Sequence, residues 1–292
     1  MTAPATSAAF PVRRVRASRA SRVDRPGFLT YGLLSAFILG STYPLWWSFV
    51  VASGSNATRS ETLPLVPGGN FLANASQVLT AIPFWTALLN SVIVSGIITL
   101  SVVSFSTLAG YAFAKLRFRG RDGLMIGVVA TMAIPTQLGI IPLFILMRQL
   151  GWTGSLGAVI VPTLVTAFGV FFMRQYLVDV IPDELIEAAR VDGANQFRTF
   201  LTVAVPAARP AMAILGLFTF MMAWTDFLWP LIVLSPTNPT LQTALAQLQS
   251  GYYVDYSIVL AGAVLSVIPL LVLFLLAGRQ LIAGIMSGAV KG

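Results

Sequence analysis

Residues 85–112, WTALLNSVIVSGIITLSVVSFSTLAGYA, are 28 consecutive positions without a charged side chain. About 20 mainly apolar helical residues cross the hydrocarbon layer of a bilayer. This stretch therefore reads as a membrane helix rather than the core helix of a water-soluble domain. Working outward, the same test finds further spans at 28–51, 124–147, 156–176, 211–234 and 257–277. Pro64, Pro67, Gly68, Gly69 and Asn70 are loop chemistry. Phe71 to Ala81 reads as a short interfacial helix stopped at Pro83. Pro135, Pro142 and Pro162 fall inside spans, where neighbouring helices re-satisfy the carbonyls that a proline frees. The expectation is an all-α polytopic membrane protein with six transmembrane helices.

Composition supports that class and removes others. Hydrophobic residues make up 57% of the 292 positions and charged ones 10%, against roughly 25% charged in a soluble domain. So few charges do not keep a soluble surface solvated, and the apolar content is too high for disorder. The chain has no cysteine and no histidine. That removes disulfide frameworks, thiolate metal sites and the commonest general base. With no catalytic constellation and no metal or cofactor motif, no enzyme activity and no cofactor are expected.

The net charge of +8 invites a nucleic-acid reading, but the location of the charges argues against it. Arg13, Arg14, Arg16, Arg19, Arg22 and Arg25 crowd the first 25 positions, and Lys115, Arg117, Arg119 and Arg121 fill one segment between apolar runs. Such clusters follow the positive-inside rule. With both termini inside, the inner segments hold 16 of the 18 basic residues, leaving Arg59 and Arg148 outside. The N-in/C-in orientation is expected. Tyr43, Trp46, Trp47, Trp85, Trp152, Trp229, Tyr252 and Tyr253 fall near outer ends, where amphipathic rings favour the interface. Residues 1–27 read as a disordered, basic cytoplasmic tail, and 28–292 as one transmembrane domain. Val51-Ala52-Ser53 loosely resembles a signal-cleavage site, but the preceding apolar run of about 24 residues exceeds the 7–15 of a signal core. It is therefore read as a retained span.

Between the fourth and fifth spans lies an inner loop, residues 177–209, with five of the ten acids. Pro182 suits a first helical position, and Asp183 and Glu184 suit the positive end of a helix dipole. Leu185, Ile186, Ala188, Ala189 and Val191 form an expected apolar face, with Glu187 and Arg190 spaced to pair at i,i+3. Gly193 fits a left-handed helix end. A second short helix is expected from about Asn195 to Val203, with Pro206 and Pro210 turning the chain into span five. By physics alone, the loop is equally a membrane-surface helix-turn-helix or a docking knob.

Here the chain resembles a family. Glu187-Ala188-Ala189, three residues, Gly193, nine residues, then Val203-Ala204-Val205-Pro206 is similar to the EAA-loop signature of ABC importer membrane subunits, the binding-protein-dependent permeases. Asp192-Gly193-Ala194, the stretch from Trp224 to Leu231 and the terminal Gly288-Ala289-Val290-Lys291-Gly292 resemble the MalG-type subunit of carbohydrate importers. Thr225-Asp226 stands where members more often carry Asn-Glu or Asn-Asp. The resemblance implies the type I ABC importer transmembrane fold in a bacterial cytoplasmic membrane. It implies a second, MalF-like permease subunit, a cytoplasmic ATPase dimer, an extracytoplasmic solute-binding protein and a sugar of di- or oligosaccharide size. It assigns ATPase coupling to Glu187, Ala188, Ala189 and Gly193, loop shaping to Asp192 and Pro206, and a tail contact to Lys291. The only lysines, Lys115 and Lys291, lie outside any Gly-x-x-x-x-Gly-Lys-Ser/Thr context, so ATP hydrolysis belongs to another subunit.

Asp226 is the one acid inside an expected span. Intramembrane acids are functional candidates, yet Asp226 equally suits capping a kink before Pro230 or bonding a neighbouring subunit. Trp224 and Trp229 suit a sugar path or simple packing. The outer loop, residues 235–256, is a candidate binding-protein contact or a solvated loop with a short amphipathic helix. Alternatives for the whole chain are an importer subunit for a polyamine, phosphate or peptide, or a self-sufficient secondary transporter. The last lacks internal repeats or several intramembrane ionisable groups.

Overall fold

The computed structural model describes residues 27–55, 65–252 and 254–289, with side chains to Leu276. Arg13 to Arg25, Arg59, Tyr253 and Lys291 lie outside the described residues. The described elements are helical, and the chain divides into two compact units, Met1–Pro44 and Leu45–Gly292.

Helix α1 is Phe28–Ala52, α2 Phe71–Ala81 and α3 Phe84–Lys115. Then follow α4 (Arg121–Met132), α5 (Ile140–Gln149), α6 (Gly157–Ile160), α7 (Ala167–Val180), α8 (Asp183–Val191) and α9 (Gln196–Thr199). The last are α10 (Val205–Thr225), α11 (Leu228–Val233), α12 (Leu241–Gln247) and α13 (Tyr256–Ala289). Four described helices are long and apolar enough to cross a membrane, and two bent pairs pass the same test together.

Those bent pairs are where the expected third and fourth spans lose their continuity. The 124–147 stretch becomes Arg121–Met132 and Thr136–Gln149, bent by 88° at the break before and around Pro135. The 156–176 stretch becomes Gly157–Thr163 and Ala167–Val180, bent by 40°. Pro162 sits in the first turn of the 3-10 segment Val161–Thr163, where the N–H groups have no partner within that turn and a proline is accommodated.

Helix α3 is central, packing against α7 and α10. Its approach to α7 is close because the facing residues are small: a Cβ on Gly110 would sit 2.7 Å from the Arg174 backbone nitrogen and 2.8 Å from Met173 Cβ. Ser106, one turn earlier, faces Gly169. Small residues four apart let membrane helices approach backbone to backbone. One buried cluster runs along this seam through Val94, Val102, Tyr111, Met173, Leu177 and Ala208; a second joins α2, α12 and α13 through Val78, Trp224, Leu241 and Ala261. The outward faces stay apolar, as at Leu100 and Leu275, which is stable only where lipid is the solvent.

Asparagines stitch the Phe84 end of α3 to the loops. Asn90 Nδ2 donates to Asn238 Oδ1 (2.8 Å) and to the Pro239 carbonyl (2.9 Å), and Asn238 Nδ2 donates to the Gly154 carbonyl (3.1 Å). The Leu241 N–H donates to Ser91 Oγ. Helix α12 is a short helix within the 235–256 loop that buries one face, Leu241, Thr243 and Ala244. Asn74 Nδ2 donates to the carbonyls of Ala52 and Gly54, both at 2.8 Å, closing the end of α1 against α2.

Two further expectations need correction. Pro206 and Pro210 do not turn the chain. Gln196 to Thr225 is one 30-residue helical run, with a π-turn at Phe200–Ala204 in which the Val205 N–H bonds the Phe200 carbonyl. The wide turn shifts the hydrogen-bond register just ahead of Pro206, so its missing donor falls where the ladder is already displaced, whereas Pro210 lies inside α10. At the far end the run stops at Thr225, and α11 is a separate helix. The expected 211–234 span thus starts earlier and breaks at Asp226. The sixth span, expected at 257–277, continues as backbone helix to Ala289.

Candidate functional site

The segment between α7 and α10 folds as an elbow. Pro182, extended at ψ 146°, opens α8, and Asp183 and Glu184 occupy its first turn. Gly193 closes it at φ 79°. The Gly193 N–H donates to the Arg190 carbonyl (3.0 Å) and the Ala194 N–H to the Ala189 carbonyl (2.9 Å). This reciprocal pair is the Schellman termination, which needs a left-handed residue at that position. Asn195 then caps α9, its Oδ1 accepting the Arg198 N–H at 2.8 Å. Glu187-Ala188-Ala189 and Gly193 are thereby held in one rigid turn-and-a-half, with Pro206 exposed a short way along the next helix. Asp192 contributes its backbone as the C-cap, and its side chain has no hydrogen bond or ion pair among the described residues.

Three contacts fasten the elbow to the Lys115 end of α3. Lys115 Nζ donates to Asp183 Oδ1 at 2.8 Å, the lysine 6% exposed and the aspartate 75%. Ile186 is buried in the main cluster with Tyr111 and Phe200. Tyr111 Oη donates to Gln196 Oε1 at 3.4 Å. The hydrogen bond and charge of Lys115 hold the Asp183 carboxyl below its ordinary range, slight desolvation opposes, and Arg117 adds in the lowering direction. Lys115, Tyr111 and Gln196 were not among the sequence-derived candidates. Lys115 read as one of a basic cluster, and only the fold shows its carboxylate partner 68 positions away.

The expected apolar face of α8 divides in two. Ile186 is buried and Ala189 half-buried, but Leu185 and Ala188 are exposed and Val191 is 88% exposed. Residues 185, 188 and 191 recur at three-residue spacing, so they share one outward stripe. The Glu187–Arg190 pair does not form; the ion pairs among the described residues are Lys115–Asp183 and Arg121–Asp122.

The other candidates lie elsewhere. Trp224 and Trp229 are buried, their indole N–H groups donating to the Ser266 carbonyl (3.3 Å) and the Ala158 carbonyl (3.0 Å). Each indole ties one helix to another. Asp226 is half-buried at the break between α10 and α11, where it ends α10 with extended backbone at ψ 122°.

The family model for the binding-protein-dependent transport system inner membrane component matches residues 103–282, a stretch that includes the elbow. The chain belongs to that family. This inner membrane component is 38% identical over 210 residues to the arabinooligosaccharides transport system permease protein AraQ of Halalkalibacterium halodurans, covering 72% of this chain and 75% of that one. It is 32% identical to the lactose transport system permease protein LacG of Rhizobium radiobacter, covering 91% and 97%. It is 29% identical to the sn-glycerol-3-phosphate transport system permease protein UgpE of Escherichia coli O157:H7, covering 90% and 98%. Among solved structures, a chain of a bacterial ABC transporter that imports the acidic polysaccharide alginate superposes with a TM-score of 0.73 at 27% identity, covering 90% of this chain and 98% of that one. The fold is therefore that of an ABC importer permease, and the protein is a multi-pass component of the cytoplasmic membrane.

Proposed function

We propose that this chain is one permease subunit of an ATP-driven importer for a sugar of di- or oligosaccharide size. In this reading, the elbow at Glu187–Gly193 docks on a separate ATPase. The observation that carries it is the two-sided α8. One side is fixed to the membrane helices by Ile186 and Lys115–Asp183, while Leu185, Ala188 and Val191 stand outward without partners among the described residues. Exposed apolar side chains on a helix at the membrane surface are a docking signature. Ala188 belongs to that outward stripe, Glu187 and Ala189 are assigned to the contact on the family resemblance, Gly193 and Asp192 set the angle to α9, and Pro206 lies where α9 passes into α10. Lys291 is assigned a tail contact with the same ATPase on the family resemblance alone.

In this reading each bent pair counts as one span, giving six, with both termini and the elbow in the cytoplasm, an arrangement supported by the distribution of basic residues. A second permease subunit completes the path, and an extracytoplasmic binding protein delivers the solute to the Asn90–Asn238 end. The sugar class is supported by the names of the relatives and by the alginate importer whose fold is shared. Asp226 shapes the break in the fifth span that faces this path, and Trp224 and Trp229 act from behind by holding α10 and α11.

Reconstitution tests the whole assignment. The chain alone in vesicles is expected neither to hydrolyse ATP nor to accumulate sugar; with partner permease, ATPase and binding protein it is expected to do both. Accumulation by the chain alone, driven by an ion gradient, would falsify the reading. Uptake restricted to a non-sugar solute in the full assembly would correct its substrate.

A further inference from the structure

Beside the elbow lies a cleft of about 890 Å³, on the side of α8 opposite its outward stripe. Its ionic lining is Lys115, Arg117, Arg121 and Arg190 against Asp183 and Glu187. Lys115 is paired with Asp183 and Arg121 with Asp122. Arg117 and Arg190 have no ion pair among the described residues, so the cleft carries two guanidinium groups without a carboxylate in direct contact, on different elements. Leu116 and Gln196 line this cleft and also an adjoining groove of about 460 Å³, which is almost wholly apolar. Phe105, Leu108, Phe197 and Phe200 form that groove, and it runs back along the membrane-spanning part of α3.

A cationic cleft joined to an apolar groove has the chemistry of an amphiphile with an anionic head. Its place at the end of a membrane helix is the headgroup layer, where basic pockets between helices take phospholipid heads. We infer that the cleft binds the phosphodiester of an anionic phospholipid between Arg117 and Arg190, with an acyl chain in the Phe105–Phe200 groove. Guanidinium groups suit this task because their planar fork meets phosphate oxygens in pairs. The lipid bridges the α3–α4 connection to α8, so it braces the elbow from the side away from the outward stripe. Binding itself does not depend on the importer assignment; only its consequence for uptake rests on that reading.

The test counts bound lipids on the purified assembly of permeases and ATPase by native mass spectrometry. Delipidated samples are titrated with dioleoyl-phosphatidylglycerol, with dioleoyl-phosphatidylcholine, or with phosphatidylglycerol plus millimolar inorganic phosphate. R117Q and R190Q, on separate elements, are each compared with R148Q, which lies in the last turn of α5. The expected result is a phosphatidylglycerol affinity reduced about fivefold by R117Q and by R190Q, the change that ~1 kcal/mol per basic residue represents. R148Q and phosphatidylcholine binding should stay unchanged. If either variant fails to accumulate, the other carries the test. Equal phosphatidylglycerol binding in wild type and variants would overturn the site, and displacement of the lipid by inorganic phosphate would overturn the lipid as its occupant. Sugar uptake in the same samples is scored separately: reduced lipid counts with unchanged uptake speak against a consequence of the lipid for transport, not against this site.

Discussion

At Gly193 the backbone stands at φ 79°, and a Cβ there would meet nothing within 4 Å. The demand is therefore conformational and not steric: an L-residue held left-handed costs roughly 1–2 kcal/mol. Gly193→Val is expected to loosen the Schellman closure, leaving membrane accumulation at wild-type level while sugar uptake by the reconstituted importer falls. Gly193→Asn, whose side chain tolerates this region, should retain most uptake. Equal uptake by both variants and wild type would sink the docking assignment. Asp183 supports a pH prediction at the same scale. Its carboxyl is held below the ordinary range by Lys115, so its contribution is present above that range and is lost only as pH falls through the lowered value. Exchange protection of the α8 amides should be flat from pH 6 to 8 and decline below about pH 4. In Asp183→Asn that acid-side decline should be absent.

Among the elements, the crossing of α3 and α7 is the tightest place to intervene. Gly110→Ala puts a Cβ against the Arg174 backbone, which cannot swing aside, and overpacking of this kind costs about 1–3 kcal/mol. Gly96, on the same helix, has nothing within 4 Å of a built Cβ, so Gly96→Ala should be neutral or stabilising by up to about 1 kcal/mol. Thermal melting of the detergent-purified protein separates the two: a lowered midpoint for Gly110→Ala and an unchanged or raised one for Gly96→Ala. The contrast also marks what sequence can convey about this fold. Long uncharged runs are local, so α1, α2 and α3 were legible to within a few residues, as was the elbow's glycine stop. The bend at Pro135 was legible as a proline but not as an 88° turn, because the angle depends on what the two halves pack against. Leu185 and Val191 read as part of one apolar face with Ile186 for the same reason: periodicity marks a stripe without saying which partner covers it. Lys115–Asp183 and the indole bonds of Trp224 and Trp229 join positions far apart in the chain, and no spacing rule points to such contacts.

For the molecule as a whole, the proposed orientation rests on how the basic residues divide between the two sides. The natural chain contains no cysteine, so single introduced thiols report sidedness without background. Thr237→Cys is expected to react with a membrane-impermeant maleimide on spheroplasts, and Arg198→Cys only after the membrane is opened; the reverse pattern would invert the topology. The helical run from Gln196 to Thr225 then takes on a mechanical meaning. At 1.5 Å per residue it is about 45 Å long, and it contains no break between the capped start beside the elbow and the Asp226 stop. A pivot of only ~10° at one end would sweep the other through roughly 8 Å by the same geometry. The π-turn at Phe200–Ala204 and Pro210 are points of compliance in that lever arm, so under the proposed coupling their stiffness would govern how much of a push delivered at the elbow arrives as motion at the Asp226 end.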